Sequence, residues 1–162
     1  AIHVHNVYYR SNITVILNKE NNYKTLLIAA KVLIYKDVDD IANMANISRL
    51  LMEHFPNHWI GFYRVQADKL ILGPFQGPIA CTSINFGKGV CGAAWQTKQT
   101  QIVDDVHQYP GHIECSALSN SEIVVPCIRG NSVYAVLDVD STEFNAFDET
   151  DQRYLEELVT YL

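Results

Sequence analysis

The sequence predicts an α+β fold, a central antiparallel sheet with helices packed mainly on one face. Apolar residues recur at three-and-four spacing before residue 56 and again after residue 148, while the middle holds short aromatic and branched runs. Turn-like residues rather than long helical stretches join those runs, which favours hairpins over parallel crossovers.

Residues 21–35 place Tyr23, Leu26, Leu27, Ala30, Leu33 and Ile34 at helical spacing. Residues 37–55 form a second expected helix, with Val38, Ile41, Ala45, Leu51 and Phe55 on one face, acidic residues in its first turn, and Pro56-Asn57 as a stop. Then the period changes. Trp59-Ile60-Gly61-Phe62-Tyr63-Arg64-Val65 and Leu70-Ile71-Leu72 read as a hairpin about the turn Ala67-Asp68-Lys69. A third strand is expected at 80–86, a short helix at 90–98 after Gly87-Lys88-Gly89, and a brief strand at 101–103. The long segment 104–120, with Tyr109-Pro110-Gly111, reads as loop, and loops of that length in a compact domain are usually functional. Two more strands, 122–129 and 133–141, turn at Gly130-Asn131, and a closing helix at 148–162 carries Tyr154, Leu155, Leu158 and Val159 inward.

Composition bounds the possibilities. The chain has 162 residues, 48% hydrophobic and 19% charged, the size of one domain. Leu, Ile, Val and Phe make up about three in ten residues, enough for a core. No stretch approaches the roughly 18 uninterrupted apolar residues of a membrane span, since even residues 26–35 are broken by Lys31. No export signal is visible, and a cytoplasmic location is the expectation. Twelve basic against 18 acidic residues give a net charge of −6, which argues against a nucleic-acid partner. Residues 1–20 are read as an N-terminal arm and 21–162 as the domain.

Val136-Leu137-Asp138-Val139-Asp140 puts both carboxylates on one strand face. Acids are depleted in strands. The pair therefore marks either a solvated sheet face or a built acidic pocket, and Glu122 on the neighbouring strand can approach it across the Gly130-Asn131 turn. Gathered carboxylates bind an ammonium group, and their mutual repulsion raises at least one pKa, making a proton donor.

The four cysteines contain no Cys-x-x-Cys pair and are too few for a secreted disulfide framework. Cys91 follows Gly87-Lys88-Gly89 at a helix start, where backbone N–H groups and a lysine favour thiolate. Cys115 lies in the long loop, with His112 placed to assist ionisation and Glu114 to oppose it. Cys127, within an apolar strand, fits an inert core thiol, and Cys81 is intermediate. His107, His112, Cys115 and Cys91 match no tight zinc spacing, and no metal is expected.

Several blocks in order then make the sequence resemble a known family, the free methionine-(R)-sulfoxide reductases, which are single GAF-type domains. The blocks are Trp59-Ile60-Gly61-Phe62-Tyr63, Leu72-Gly73-Pro74-Phe75-Gln76-Gly77, Gly87-Lys88-Gly89-Val90-Cys91-Gly92, Gly111-His112-Ile113-Glu114-Cys115, Ser121-Glu122-Ile123-Val124-Val125-Pro126 and Val136-Leu137-Asp138-Val139-Asp140-Ser141. The resemblance implies that Cys115 is the nucleophile and passes through a sulfenic acid. It implies that Cys91 resolves this as a disulfide, that Cys81 takes part in exchange, and that thioredoxin is the reductant. Glu122, Asp138 and Asp140 then form the substrate's acidic site, with Trp59 and Tyr63 as an aromatic wall. No cofactor is implied, and a homodimer is. Around the nucleophile this chain has Glu114 and Ser116 where the family pattern has a small residue and an aspartate; Trp95 and Ile60 are also bulkier than the pattern. The alternative is a GAF module that senses a small molecule without turnover.

Overall fold

A computed structural model describes residues 18–162 apart from residue 114. The expected N-terminal arm lies outside the described residues up to position 17. Helix α1 (Lys19–Leu33) begins where the Asn18 side chain accepts the backbone N–H of Glu20, and buries Tyr23, Leu26, Leu27 and Ala30. Helix α2 spans Asp40–His54. It starts later than its apolar spacing suggests because Asp39 accepts the N–H of Ile41 and fixes the N-terminus there. The buried face is consequently rotated to Asn43, Met44, Ile47, Ser48, Leu50 and Leu51, leaving Val38 and Ile41 49% and 40% exposed. The buried Asn43 sets this rotation: its side chain caps the interhelical connection by pairing with both the backbone N–H and the carbonyl of Tyr35.

The strands are β1 (Trp59–Gln66), β2 (Lys69–Gln76), β3 (Ser83–Asn85), β4 (Gln101–Val103), β5 (Ser121–Arg129) and β6 (Ser132–Ser141). They form one antiparallel sheet in the order β3-β2-β1-β6-β5-β4. Both expected hairpins are present. The third strand is shorter than expected, since residues 80–82 belong to the connection from β2. Helix α3 (Gly89–Thr97) lies between β3 and β4, and α4 (Glu149–Val159) closes the chain. Asp148 and Asp151 form a reciprocal cap on α4. Buried Asp151 also accepts the Tyr23 hydroxyl at 2.7 Å and pairs with Lys19, tying α4 to α1.

The alternation of the central strands divides the interior. Ile60, Phe62, Ile123, Val125, Leu137 and Val139 point toward α1, α2 and α4 and form the larger core. Trp59, Tyr63, Val124 and Val136 point the other way, toward α3 and the connections that flank it. Asp138 and Asp140 share this second side, so the Asp-x-Asp face is covered rather than solvated.

Candidate active site

On the second side of the sheet, pairing brings the three expected acids together. Glu122 on β5 is opposite Asp140 on β6, and Asp138 is one step along the same face, opposite Val124. Gly61 on β1 is opposite Asp138, so β1 adds no side chain over it. A Cβ at Gly61 would lie 2.4 Å from Phe75 Cβ and 2.6 Å from the Trp59 ring, which explains the glycine by close approach. Glu122 and Asp138 are each 6% exposed.

Burial dominates the electrostatics. It pushes the Asp138 carboxyl up to about 7, and it raises Glu122 and Asp140 well above the carboxylate range, with repulsion from Asp138 adding to both. The site thus carries protonated carboxyl groups near neutrality beside groups that ionise when a cation approaches. Asp138 Oδ1 is buried with no hydrogen-bond partner among the described residues. Its Oδ2 accepts the thiol of Cys91 at 3.3 Å.

This contact corrects two expectations about Cys91. The first turn of α3 does not expose the sulfur to solvent but packs it onto the acids. It is 3% exposed, and burial followed by the charge of Asp138 raises its pKa well above the ordinary thiol value, so it is not a favoured thiolate. Nor is Cys91 the disulfide partner of Cys115. Cys115 is bonded to Cys81, with an S–S distance of 2.03 Å and Cα atoms 5.2 Å apart, while Cys91 and Cys127 are free and buried. Cys127 lies in the larger core, as expected.

Cys115 of the disulfide and the acids line one cavity. Its lining includes Tyr63, Lys88, Cys91, Cys115, Glu122, Asp138 and Asp140. Ser116 and Ser119 also reach it, residues to which sequence spacing gave no role. Tyr63 is on its surface and also donates its hydroxyl to the Cys81 carbonyl at 3.0 Å. Trp59 is placed differently from expectation: it stands behind the cavity, stacked between Tyr63 and Phe75, and its indole N–H donates to the Pro78 carbonyl at 3.2 Å. Both aromatic side chains therefore hold the connection that carries Cys81. His112 lines the cavity, whereas His107 is bonded to Asn120 and lies outside it, so the four residues weighed for zinc do not converge. Glu114 lies outside the described residues. Among the described residues, the grouping that offers metal-type ligands together is Cys91, Glu122 and Asp138, a consequence of the contact above.

The six-stranded antiparallel sheet in this order, with the four helices α1 to α4 and an acidic cavity beside a disulfide, is the fold of a GAF domain. The GAF domain family profile matches residues 41–162. The chain is 44% identical over 165 aligned residues to the free methionine-R-sulfoxide reductase of Saccharomyces cerevisiae, covering 96% of this chain and 89% of that protein. It is 49% identical to GAF domain-containing protein A of Dictyostelium discoideum, over 90% of this chain and 92% of that one. The structure of the free methionine-R-sulfoxide reductase from Neisseria meningitidis, in complex with its substrate, superposes with a TM-score of 0.87 at 42% identity, covering 99% of this chain and 92% of that one. The chain belongs to the free methionine-(R)-sulfoxide reductase family of GAF domains.

Proposed function

We propose that this protein reduces free L-methionine (R)-sulfoxide to methionine by thiol chemistry at Cys115 and Cys81. The observation that carries this reading is the shared cavity, in which a buried acid cluster and Cys115, bonded to Cys81, line the same space. The amino group of the substrate is held among Glu122, Asp138 and Asp140, one of which gives up its proton as the ammonium arrives while another stays protonated. Selection of the free amino acid follows, because a residue within a polypeptide has no ammonium to offer.

Chemistry starts from the dithiol form. Cys115 sulfur attacks the sulfoxide sulfur while one protonated carboxyl donates to the sulfoxide oxygen, and methionine leaves with its sulfur reduced. Oxygen and proton end on Cys115 as a sulfenic acid. The Cys81 thiol then attacks the Cys115 sulfur, forming the disulfide and releasing water. Exchange with the dithiol of thioredoxin returns both thiols and leaves thioredoxin oxidised. Cys91 contributes to the acid floor through its bond to Asp138 rather than to the disulfide. The assembly that goes with this reading is a homodimer.

A coupled assay with thioredoxin, thioredoxin reductase and NADPH tests the reading. NADPH is consumed with the free (R)-sulfoxide, and Cys115→Ser abolishes consumption. Cys81→Ser releases about one methionine per chain and then stalls, whereas Cys91→Ser continues to cycle within about fivefold of the parent, having exchanged one neutral hydrogen-bond donor for another. Substrate binding without turnover, or full activity in Cys115→Ser, overturns the proposal.

A further inference from the structure

One contact outside the proposed cycle joins the loop that bears Cys115 to the frame of the site. His58 Nε2 and Ser116 Oγ are hydrogen-bonded at 2.8 Å in a half-buried setting, and Ser116 directly follows Cys115. His58 is itself well anchored. Its backbone N–H donates to the Asp140 carbonyl at 3.0 Å, which fixes it to the end of β6. On its other side Gly77, at φ +131°, passes so close that a Cβ there would lie 2.8 Å from the His58 carbonyl oxygen.

Among the described residues, positions 111–119 contain no helix or strand. Among the same described residues their backbone N–H bonds are local: His112 to the Tyr109 carbonyl, Cys115 to the Ile113 carbonyl, Leu118 to Ser116 Oγ at 3.4 Å, and Ser119 to the Ser116 carbonyl at 3.4 Å. Cys115 is thus tethered by its disulfide and, one residue on, by His58. When the disulfide is reduced, the second tether remains available.

We infer that His58 is a positioning residue whose hydrogen bond to Ser116 holds Cys115 opposite Cys81 and raises the effective concentration of one thiol at the other. The inference rests on the reading of Cys81–Cys115 as the working disulfide. Its test does not require turnover.

The equilibrium is read with glutathione. Protein disulfide and two glutathione thiols give two protein thiols and one glutathione disulfide, so the equilibrium constant reports how well the loop presents Cys115. Ser116→Ala and His58→Ala each shift it about fivefold toward the dithiol, the effect of one ordinary hydrogen bond. Both substitutions delete the His58–Ser116 bond, and Ser116→Ala also removes the longer Leu118 N–H contact to Ser116 Oγ at 3.4 Å, so the double variant shows the shift of Ser116→Ala and not the product of two. Ser116→Thr, which keeps the hydroxyl, stays within about twofold of the parent. His58→Gln, which keeps a hydrogen-bonding side chain, serves where His58→Ala does not fold, with a shift smaller than that of Ser116→Ala. An unchanged equilibrium in Ser116→Ala, or shifts that multiply in the double variant, overturns the inference. Failure of the reductase reading would appear separately, as absence of methionine in the coupled assay with the glutathione shift intact.

Discussion

At the scale of single residues, the site is governed by the cost of placing ionisable groups under a sheet. Asp138 has a buried carboxyl raised to about 7, so the folded chain binds a proton there that the unfolded chain gives up near pH 4. Stability from this group is therefore greatest below the unfolded value and declines as pH rises toward and through about 7. Asp138→Asn removes the charge and keeps an acceptor for Cys91. The advantage of the variant over the parent in melting temperature is expected to grow between pH 5 and pH 8 by about 6 °C, of the order of 2 kcal/mol for a domain of this size, as calorimetry at the two pH values will show. The same substitution weakens capture of the substrate ammonium, so added stability comes with lost affinity. The three acids were legible in the sequence because strand periodicity places Asp138 and Asp140 together and the hairpin brings Glu122 across. The role of Cys91 was not legible. A helix start suggests an activated thiolate when read alone, and only the packing of α3 onto β6 reveals that the sulfur faces Asp138 instead of solvent. His58 carried no signal at all, because its partner Ser116 is distant in sequence and meets it only through the fold.

At the scale of elements, the central strands work as a two-sided partition, and Gly61 is the position where this is tightest. It pairs with Phe75 on β2 and Asp138 on β6, and the register of β1 against β2 is irregular between Gly61 and Tyr63. Gly61→Ala would drive a methyl group to 2.9 Å from the Phe75 backbone, which a side-chain rotation cannot relieve. The expected loss is about 2 kcal/mol, measured as a lower urea midpoint at unchanged slope. Strands and turns were read well from sequence, since aromatic and branched runs with Ala67-Asp68 and Gly130-Asn131 between them leave few alternatives. The helix faces were read less well. In α2 the capping aspartate and buried Asn43 decide the rotation, and hydrophobic spacing alone favours Val38 and Ile41, which the structure leaves largely exposed.

Across the whole molecule, the sheet separates a large apolar core under α1, α2 and α4 from a smaller chemical compartment under α3. None of the described helices is long and apolar enough to cross a membrane. The architecture lets one face hold the fold while the other carries strained electrostatics and a breakable bond. It also sorts the cysteines by depth: Cys127 is sealed in the large core, Cys91 is sealed beneath the acids, and Cys81 and Cys115 are joined at the rim. That sorting turns the protein into its own redox gauge. A bulky water-borne maleimide should label no sulfur on the oxidised native chain, two after mild reduction, and all four once denaturant opens the reduced chain. Mass spectrometry of the adducts then reads the fraction of chains in each redox state, because zero adducts mark the closed Cys81–Cys115 disulfide and two mark the open dithiol at the mouth of the cavity.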